Sequence, residues 1–220
     1  MNKNPQKIKE MFDSIAEKYD FNNNIISFGL HKIVKKLAIN SFAFKGKCLD
    51  LCTGTGDIAY LLKNKGLEVV GFDFSEKMLE IARKKHPEIE FVQGDCTQLP
   101  FEDNSFDTIT ISFGLRNIEN YDKALDEIKR VLKPSGKFLH LDLAKKNFLA
   151  NLVFDNVIPI LINIFYKDKI PYEYLVKSKK LFFDEKSLIN LFEKHQLELI
   201  EVKDFLFGAI SCQFCKNKKD

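Results

Sequence analysis

The stretch that decides the fold is Lys47–Phe74, KCLDLCTGTGDIAYLLKNKGLEVVGFDF. It reads as a strand, a glycine turn, a helix and a second strand. Cys48–Cys52 is an apolar run interrupted only by Asp50, which is typical of a buried parallel strand. Ile58–Asn64 predicts a short helix whose first N–H groups point back into the turn. The stretch therefore predicts a β-α-β unit with its glycine turn at the start of the helix.

The glycine turn contains Gly54 and Gly56. Glycine lets the backbone turn sharply, and it leaves room for a ligand where a Cβ would collide. The second strand, Leu67–Phe74, carries Asp73 at its end, 17 residues after Gly56. A carboxylate at that place lies beside the glycine turn once the strands pair, where it can accept both hydroxyls of a ribose. We therefore expect a ligand that contains a nucleoside.

The residues of the turn discriminate between two nucleoside ligands. A dinucleotide fingerprint requires G-x-G-x-x-G, whereas this chain reads T-G-T-G-D and lacks the third glycine. Asp50 and Asp57 near the helix start would also repel a pyrophosphate. S-adenosylmethionine carries a sulfonium and an ammonium, so an acidic turn suits it. We predict S-adenosylmethionine as the cofactor; the alternatives are an NAD-dependent oxidoreductase and a purely structural link between strand and helix.

Composition narrows the class of protein. With 220 residues, 45% hydrophobic and 30% charged, the chain is expected to form one globular domain. Its net charge of +3 comes from mixed signs and predicts no nucleic-acid partner. The five cysteines and the lack of a recognisable signal peptide favour free thiols in a reducing cytoplasm. Cys212 and Cys215 have no second pair, and the four histidines show no ligand spacing. We therefore predict no metal, and we expect the histidines to be at the surface or satisfied by partners.

Strand and helix alternate along the middle of the chain, and an antiparallel pair of strands closes it. This pattern predicts an α/β fold, a Rossmann-like seven-stranded, mostly parallel sheet with helices on both faces. Ligands of such sheets bind at the carboxyl ends of the strands. The residues at these ends are Gly54, Asp73, Asp95, Ser112 to Asn117, and Asp142. Of these, Asp95 can accept a hydrogen bond from the exocyclic amine of an adenine.

The order of elements divides the chain into four segments. Residues 1–45 are predicted to be a helical cover, made of a helix over 3–20, a turn at Asn22–Asn24 and a second helix. Residues 46–144 form the cofactor-binding core, in which Lys133–Gly136 is expected to be a turn before the fifth strand. Residues 145–183 are an apolar insert, and residues 184–220 are a closing helix and strands.

The apolar insert contains Phe148–Tyr166, which is mostly hydrophobic but includes Asn151, Asp155 and Pro159. These residues make a membrane-spanning helix improbable. Two interpretations stay open. The insert is a lid over a lipophilic substrate that touches a membrane surface, or it is an ordinary buried helix.

In these motifs and in the order of its elements, the chain resembles the ubiquinone/menaquinone biosynthesis C-methyltransferase family. Most of the chain takes part, and Phe113-Gly114-Leu115-Arg116-Asn117 is the most specific segment. The fifth strand departs from the family's Leu-Glu-Phe, since it reads Leu141-Asp142-Leu143 here. The other segments that carry the resemblance are Met11–Ala16, Tyr19-Asp20, Ser27–His31, Leu49–Asp57, Leu99–Phe101 and Arg130–Pro134.

The resemblance implies methyl transfer from S-adenosylmethionine to a ring carbon of a lipophilic, reduced isoprenoid quinol. The acceptor is demethylmenaquinol, a benzoquinol of ubiquinone synthesis, or both. The predicted cofactor-binding residues combine those reached from topology with those implied by the resemblance. They are Asp50, Gly54, Thr55, Gly56, Asp73, Asp95, Cys96 and Ser112.

Methylation of a ring carbon needs help with a developing phenolate. We expect Arg116 to stabilise that charge, Asn117 to orient the hydroxyl or a water, and Tyr19, by resemblance, to close the site. Arg116 is a poor base, and Asp142 is a further candidate for that role. An ion pair that only fixes the loop is the alternative for Arg116.

Other functions are compatible with the same sequence. They are a methyltransferase of this fold that acts on another small aromatic or lipid, and a binding protein without catalysis. We expect a cytoplasmic enzyme, in peripheral contact with the inner face of the membrane where its substrate is dissolved.

Overall fold

The computed structural model describes residues 3–145, 148–165 and 170–218. Its strands are β1 (Lys47–Leu51), β2 (Glu68–Asp73), β3 (Glu90–Gln93), β4 (Phe106–Ser112), β5 (Leu132–Leu143), β6 (Leu197–Phe205) and β7 (Ile210–Asn217). They form one sheet in the order β3-β2-β1-β4-β5-β7-β6. Strands β1 to β5 are parallel, and β7 is antiparallel to both of its neighbours. The predicted seven-stranded, mostly parallel sheet is confirmed.

Helices pack on both faces of this sheet. They are α1 (Pro5–Ile15), α2 (Tyr19–Ser27), α3 (Leu30–Ser41), α4 (Asp57–Lys63), α5 (Glu76–Lys85), α6 (Tyr121–Val131), α7 (Phe148–Phe165), α8 (Ile170–Leu181) and α9 (Glu185–Lys194). Helix α6 shows why: Leu125, Ile128 and Val131 recur at helical spacing and are fully buried against the sheet. Burying each such side chain stabilises the fold by about 1.5–3 kcal/mol. Helices α4 and α5 cover the opposite face.

The N-terminal helices differ from the prediction of one helix over 3–20 followed by a turn. Helix α1 ends at Ile15, a short 3₁₀ turn follows over Ala16–Lys18, and α2 then runs through all three asparagines. The predicted turn at Asn22–Asn24 was wrong because tertiary packing overrides the local preference. Asn22 is buried, and Ile26 packs against side chains of α7.

The predicted turn at Lys133–Gly136 was also wrong, since these residues lie inside β5. Phe106 of β4 pairs with Leu132, but Thr108 pairs with Lys137, so β5 carries extra residues at this point. Such a bulge keeps the strand in the sheet while it bends the backbone. The sequence signal was therefore correct about an irregularity and wrong about its kind.

Helix α7 occupies the apolar insert. It packs against α2 and α8 through Ile158 and Ile162, whereas Tyr166 lies outside the described residues. Helix α8 contacts α1 and the Leu115–Asn117 turn. Among the helices that the structure describes, none has the combination of length and hydrophobicity that crossing a bilayer requires.

Candidate functional site

A cavity of about 300 Å³ lies at the carboxyl ends of β1, β2 and β4, beneath α1. Many of the predicted site residues line it: Tyr19, Gly54, Asp73, Asp95, Cys96, Ser112 and Asn117. Apolar residues that the sequence analysis did not single out complete the wall: Ile8, Phe12, Phe74, Met78 and Phe113. A cavity that is largely apolar with a few convergent polar groups is typical of a small-molecule site. We refer to it as the cofactor cavity.

Asp73 is the central carboxylate of the cofactor cavity. Its Oδ2 accepts a hydrogen bond from the N–H of Gly54 at 2.8 Å, and its Oδ1 accepts one from the N–H of Ser75 at 2.9 Å. Burial raises the pKa of Asp73, while these two N–H groups oppose that change. Each carboxylate oxygen keeps a second lone pair with which it can accept a ligand hydroxyl.

The two glycines of the turn serve different purposes. At Gly54, with φ of +57°, an added Cβ would lie no closer than 4.0 Å to the ring of Tyr19, so the backbone is open to the cavity. At Gly56, with φ of +86°, an added Cβ would come within 3.0 Å of the Phe91 ring. Gly54 therefore provides access for a ligand, whereas Gly56 provides the turn into α4.

Asp50 lies below the cofactor cavity and lines a small adjoining pocket of about 30 Å³. Its carboxylate accepts hydrogen bonds from the hydroxyls of Thr53 at 2.6 Å and Thr110 at 2.7 Å. Burial raises the pKa of Asp50 to about 6. The structure brings Asp50 near the predicted ligand but not into the wall of the main cavity.

Thr55 and Asp57 belong to a network that fastens α2 to the glycine turn. The Thr55 hydroxyl donates to Asp20 at 2.7 Å, and Lys85 donates to Asp20 at 2.8 Å and to Asp57 at 3.2 Å. Lys35 donates to Asp57 at 3.0 Å. Thr55 thus lies behind the cofactor cavity, and its predicted contact with the cofactor stays a prediction.

The network also changes the charge that Asp57 presents to a ligand, compared with what the sequence alone implied. Burial alone would raise the pKa of Asp57, but Lys35 and Lys85 outweigh burial and hold the pKa well below its usual range. With its charge paired, Asp57 does not repel an anion as the sequence analysis supposed. The acidic character of the site therefore depends on Asp73 and Asp95, which line the cavity.

Cys96 and Cys52 lie side by side on the wall of the cofactor cavity. The hydrogen bond to Cys96, together with burial, raises the pKa of the Cys52 thiol. Next to them, the Asp95 carboxylate accepts a hydrogen bond from the N–H of Thr97 at 2.8 Å. The predicted Asp95 and Cys96 therefore face the cavity together, and Cys52 is a wall residue that the sequence analysis missed.

Two polar atoms in the wall of the cofactor cavity are buried without a hydrogen-bond partner. They are the Oγ of Ser112 and the Oδ1 of Asn117. Buried polar atoms of native proteins are normally paired, so unpaired ones indicate a missing ligand or water. Together with the open backbone at Gly54 and the carboxylate of Asp73, they fit a nucleoside cofactor with an amino-acid tail.

Arg116 does not line the cofactor cavity. Its guanidinium forms a buried ion pair with Asp142, and its Nε has no hydrogen-bond partner. The neighbouring Asn117 does line the cavity, and the hydroxyl of Tyr174 is also buried and unpaired. Burial raises the pKa of Tyr174 to about 12, against the effect of Arg116. The ion pair that was the alternative for Arg116 is therefore present, one residue away from the cavity wall.

The expectation that the histidines are at the surface or satisfied by partners holds only in part for His140, whose Nδ1 bonds Gln213 at 2.7 Å. This side chain is buried, and its Nε2 has no hydrogen-bond partner. His195 does follow the expectation, since Asp126 and Asp122 bind its two nitrogens at 2.7 and 2.8 Å. The sequence signal that His140 is buried was its position within a strand of core residues. Its hydrogen-bond partner lies on a distant strand, so the sequence did not indicate it.

Cys212 and Cys215 lie on the same strand, β7, but pack into different core clusters. Residues three apart on a strand point to opposite faces of the sheet, so these thiols cannot act on one metal or form a local redox pair. Both are buried and free. The structural interpretation of this Cys-x-x-Cys sequence agrees with their positions.

The fold and the cofactor cavity define the class of protein as an S-adenosylmethionine-dependent methyltransferase of the Rossmann-like type. A crystal structure from Thermotoga maritima, described as a SAM-dependent methyltransferase and possible histamine N-methyltransferase, matches with a TM-score of 0.73. The match covers 96% of this chain and 100% of that chain at 22% identity, which shows the fold alone.

Sequence comparisons define the family. Residues 1–217 match the sequence model of the ubiE/COQ5 methyltransferase family. The chain is 40% identical to a demethylmenaquinone methyltransferase of Staphylococcus aureus, over 99% of this chain and 95% of the relative. It is 37% identical to one of Bacillus cereus, over 93% of this chain and 92% of the relative.

This chain belongs to the ubiE/COQ5 methyltransferase family. The predicted family, the enzyme class and S-adenosylmethionine as co-substrate are confirmed. The roles of the individual residues stay predictions.

The raised pKa of Asp50 predicts a pH dependence of stability. The folded protein binds the Asp50 proton more tightly than the unfolded chain, whose aspartates titrate near pH ~3.9. Asp50 therefore contributes stability that is fully present below that pH and is lost as the pH rises through about 6. We expect the free energy of unfolding of the wild type, relative to Asp50→Asn, to fall by on the order of 1–3 kcal/mol across this window.

Urea denaturation of both proteins from pH 4 to 7.5 measures this difference. Asp107→Asn is a matched control, because hydrogen bonds from Lys133 and from the N–H of Lys47 lower the pKa of Asp107 against the effect of burial. Its difference from the wild type should stay nearly constant over this range, because a lowered pKa places its pH dependence below pH ~3.9. A wild type and an Asp50→Asn variant whose stabilities run parallel over the whole range would contradict the assignment.

Proposed function

We propose that this protein transfers the methyl group of S-adenosylmethionine to a ring carbon of a reduced isoprenoid quinone precursor, with demethylmenaquinol as the preferred acceptor. The observation that carries the proposal is the coincidence of a nucleoside-type cavity with the Phe113–Asn117 turn at its edge. The names of the Staphylococcus and Bacillus relatives support the naphthoquinol rather than the benzoquinol acceptor.

The cofactor, when bound, supplies a methyl group that its sulfonium activates. Asp73 would accept the ribose hydroxyls, and the open backbone at Gly54 would admit the amino-acid tail. Asp95 would accept from the adenine amine, and Ser112 offers an unpaired hydroxyl at the carboxyl end of β4. These residues bind and orient; because the methyl group is already activated, positioning provides much of the rate enhancement.

The acceptor ring needs its hydroxyl polarised so that electron density reaches the neighbouring carbon. Asn117 lines the cavity with an unpaired Oδ1, which can accept the hydrogen of a ring hydroxyl or of a water. Arg116 is buried beside it with an unpaired Nε–H; because Arg116 does not line the cavity, it would act on a developing phenolate through a bridging water. A buried cation near developing charge is worth more than the same cation in water. Tyr19, which also lines the cavity, closes it from the side of the helical cover.

The helical cover over residues 1–45 is held by bonds to the cofactor-binding core. Asp13 accepts a hydrogen bond from the hydroxyl of Ser75, which follows the Asp73 strand end. Asp20 is held by Thr55 and Lys85, as described above. We infer that α1 and α2 exclude water from the reaction, while α7 and α8 act as the lid on the acceptor side.

The proposed function is tested by methyl transfer from labelled S-adenosylmethionine to reduced demethylmenaquinone and to the corresponding benzoquinol, assayed side by side. We expect turnover of the naphthoquinol to exceed that of the benzoquinol. Arg116→Gln should lower kcat by about 100-fold or more, because it removes the cation near the developing charge. Arg116→Lys, which keeps the charge, should lose less.

The affinity for S-adenosylmethionine, measured by calorimetry, separates catalysis from structure in these variants. A catalytic Arg116 predicts wild-type affinity together with the loss of kcat. If Arg116 only fixes the loop, affinity, stability and kcat should fall together. Cofactor binding without methylation of either quinol would contradict the proposed function and would leave the fold and family unaffected.

A membrane-dissolved acceptor requires the protein to approach a lipid surface. We infer that the contact is made by α2, α3 and the loop before β7. Phe28 and Phe207 have 75% and 93% of their surface exposed, and Ile33 and Leu37 on α3 are exposed as well. Leu206, which precedes Phe207, packs on the same core cluster as Val34 and Ala38 of α3. Helix α3 carries lysines and no acidic residue, which suits an anionic headgroup.

Flotation with phosphatidylglycerol and with phosphatidylcholine vesicles measures this contact. The double variant Phe28→Ser/Phe207→Ser should lower the bound fraction on the anionic vesicles, because it removes the two most exposed rings from the face. Leu181→Ser, an exposed leucine on α8, is the matched control and should bind like the wild type. Equal binding by the wild type and the double variant would exclude this face as the contact.

A further inference from the structure

A second cavity, of about 360 Å³, lies between β5, β7, the end of α8 and the start of α9. His140, Asp142, Ser211 and Gln213 line it together with the ring of Phe182. Arg116 connects it to the cofactor cavity, because its guanidinium pairs with Asp142 and its chain neighbour lines the cofactor cavity. We refer to it as the relay cavity.

The hydrogen bonds along one wall of the relay cavity have a fixed direction. The carboxylate of Glu185 can only accept, so Ser211 donates its hydroxyl to Glu185 at 3.0 Å. Gln213 must then present its NH₂ group to the Ser211 oxygen, at 2.8 Å. The remaining amide oxygen of Gln213 faces Nδ1 of His140 at 2.7 Å and accepts from it. The proton of a neutral His140 is therefore on Nδ1.

Because the proton is on Nδ1, the Nε2 of His140 can only accept a hydrogen bond. The Oδ2 of Asp142 lies 3.9 Å from it, and neither atom has a hydrogen-bond donor. Both residues are almost completely buried, with exposures of 1% for His140 and 2% for Asp142. The other oxygen of Asp142, Oδ1, accepts hydrogen bonds from Arg116 and from the N–H of Leu143. Two buried acceptors that face each other are costly unless a proton, or a group that donates one, comes between them.

We propose that His140 and Asp142 take up the proton that the methylated ring carbon releases; this rests on the proposed function. The ring carbon forms a bond to the methyl group, and the S–CH₃ bond breaks with its electron pair left on sulfur. The ring C–H bond then breaks, and its electron pair restores the aromatic ring. Water carries the proton to Asp142. The proton then moves to Nε2 of His140 and leaves to solvent through the relay cavity.

His140 is therefore a positioning residue that acts through Asp142, and protonation would turn the 3.9 Å contact into an ion pair. Catalytic hydrogen bonds are often long before the substrate binds, so this distance is compatible with proton uptake. The rim of the relay cavity includes Lys186 and Asp184, which are exposed and give the proton a route out.

The groups around His140 determine when it can accept a proton. Burial lowers the pKa of His140, Asp142 and the bond to Gln213 raise it, and Arg116 lowers it. The imidazole is therefore neutral at pH 7, as a proton acceptor must be. The residues that face it from the packed elements are Asp142 on β5, Arg116 on the β4–α6 turn, Gln213 on β7, Phe182 after α8 and Phe192 on α9.

Two substitutions distinguish the role of the acceptor Nε2 from the role of the rest of the His140 side chain. His140→Asn keeps a donor for Gln213 at the Nδ1 position and removes Nε2, whereas His140→Gln places an amide near Nε2 and gives up the bond to Gln213. We expect His140→Asn to lower kcat by about 100-fold with demethylmenaquinol as acceptor. The affinity for S-adenosylmethionine should stay within about twofold of the wild type.

The pH profile distinguishes proton uptake from a structural role. The wild-type kcat should fall on the acid side, at a pH below the usual histidine pKa, as His140 becomes protonated. His140→Asn should lose this acid limb. His195→Asn is the matched control, because Asp122 and Asp126 satisfy both nitrogens of His195 and it lines neither cavity. Its profile should keep the acid limb.

Chemical rescue keeps the proposal testable if His140→Asn does not fold. His140→Ala enlarges a cavity that already exists, so added imidazole should restore turnover, and more basic substituted imidazoles should restore it better. His195→Ala should not respond to imidazole.

The outcomes separate this inference from the proposed function. If the wild type methylates the quinol and folded His140→Asn stays within about threefold of it at every pH, the relay is overturned alone. Rescue that does not depend on the basicity of the imidazole also overturns it. A wild type that binds S-adenosylmethionine but methylates no quinol overturns the proposed function, and the relay with it.

Discussion

The hydrogen bonds that Asp73 accepts from the N–H groups of Gly54 and Ser75 hold the site together. They fasten the glycine turn after β1 to the end of β2 and to the start of α5. Through the Ser75 hydroxyl the same point also anchors Asp13 of the helical cover. The geometry of the cofactor cavity therefore depends on one buried carboxylate, placed where two neighbouring parallel strands end.

Around that carboxylate, the charges of Asp57, Asp20 and Arg116 are paired with neighbouring side chains. Asp57 and Asp20 are neutralised by Lys35 and Lys85, so the entry to α4 is less acidic than its sequence indicates. Arg116 is likewise paired, with Asp142. Among the described residues, buried polar atoms without a hydrogen-bond partner are found on Ser112, Asn117, Arg116, Tyr174, Asp142 and His140, and also on Ser105 and Asn217. Buried polar atoms are normally paired, so those that line the two cavities are candidates to bind a substrate, a water or a proton.

The sequence predicted the features that local pattern and strand order determine. Apolar runs, glycines and strand ends placed Gly54, Asp73, Asp95 and Ser112 at one edge of the sheet, because parallel strands end together. Prediction from the sequence failed where the local structure depends on packing between distant segments of the chain. The asparagines of α2 are helical because Ile26 is buried against α7, and the 133–136 bulge depends on register with β4.

The least predictable part of the site was the environment of His140. Its partner Gln213 is 73 residues away, and only the antiparallel pairing of β5 with β7 brings the two into register. Arg116, on the β4–α6 turn, and Asp142, on β5, are likewise brought together by tertiary structure, 26 residues apart. Side-chain pairs of this kind follow from tertiary structure and have no local sequence signal.

The central claim, that Asp73 organises the cofactor cavity, is tested most directly by calorimetric titration of S-adenosylmethionine into Asp73→Asn. Asp107→Asn is the matched control, because Asp107 also accepts a backbone N–H, from Lys47, but outside the cavity. We expect Asp73→Asn to weaken binding by about 30-fold or more, since charge-assisted hydrogen bonds are lost, and Asp107→Asn to bind like the wild type. Equal affinities for both folded variants and the wild type would contradict it.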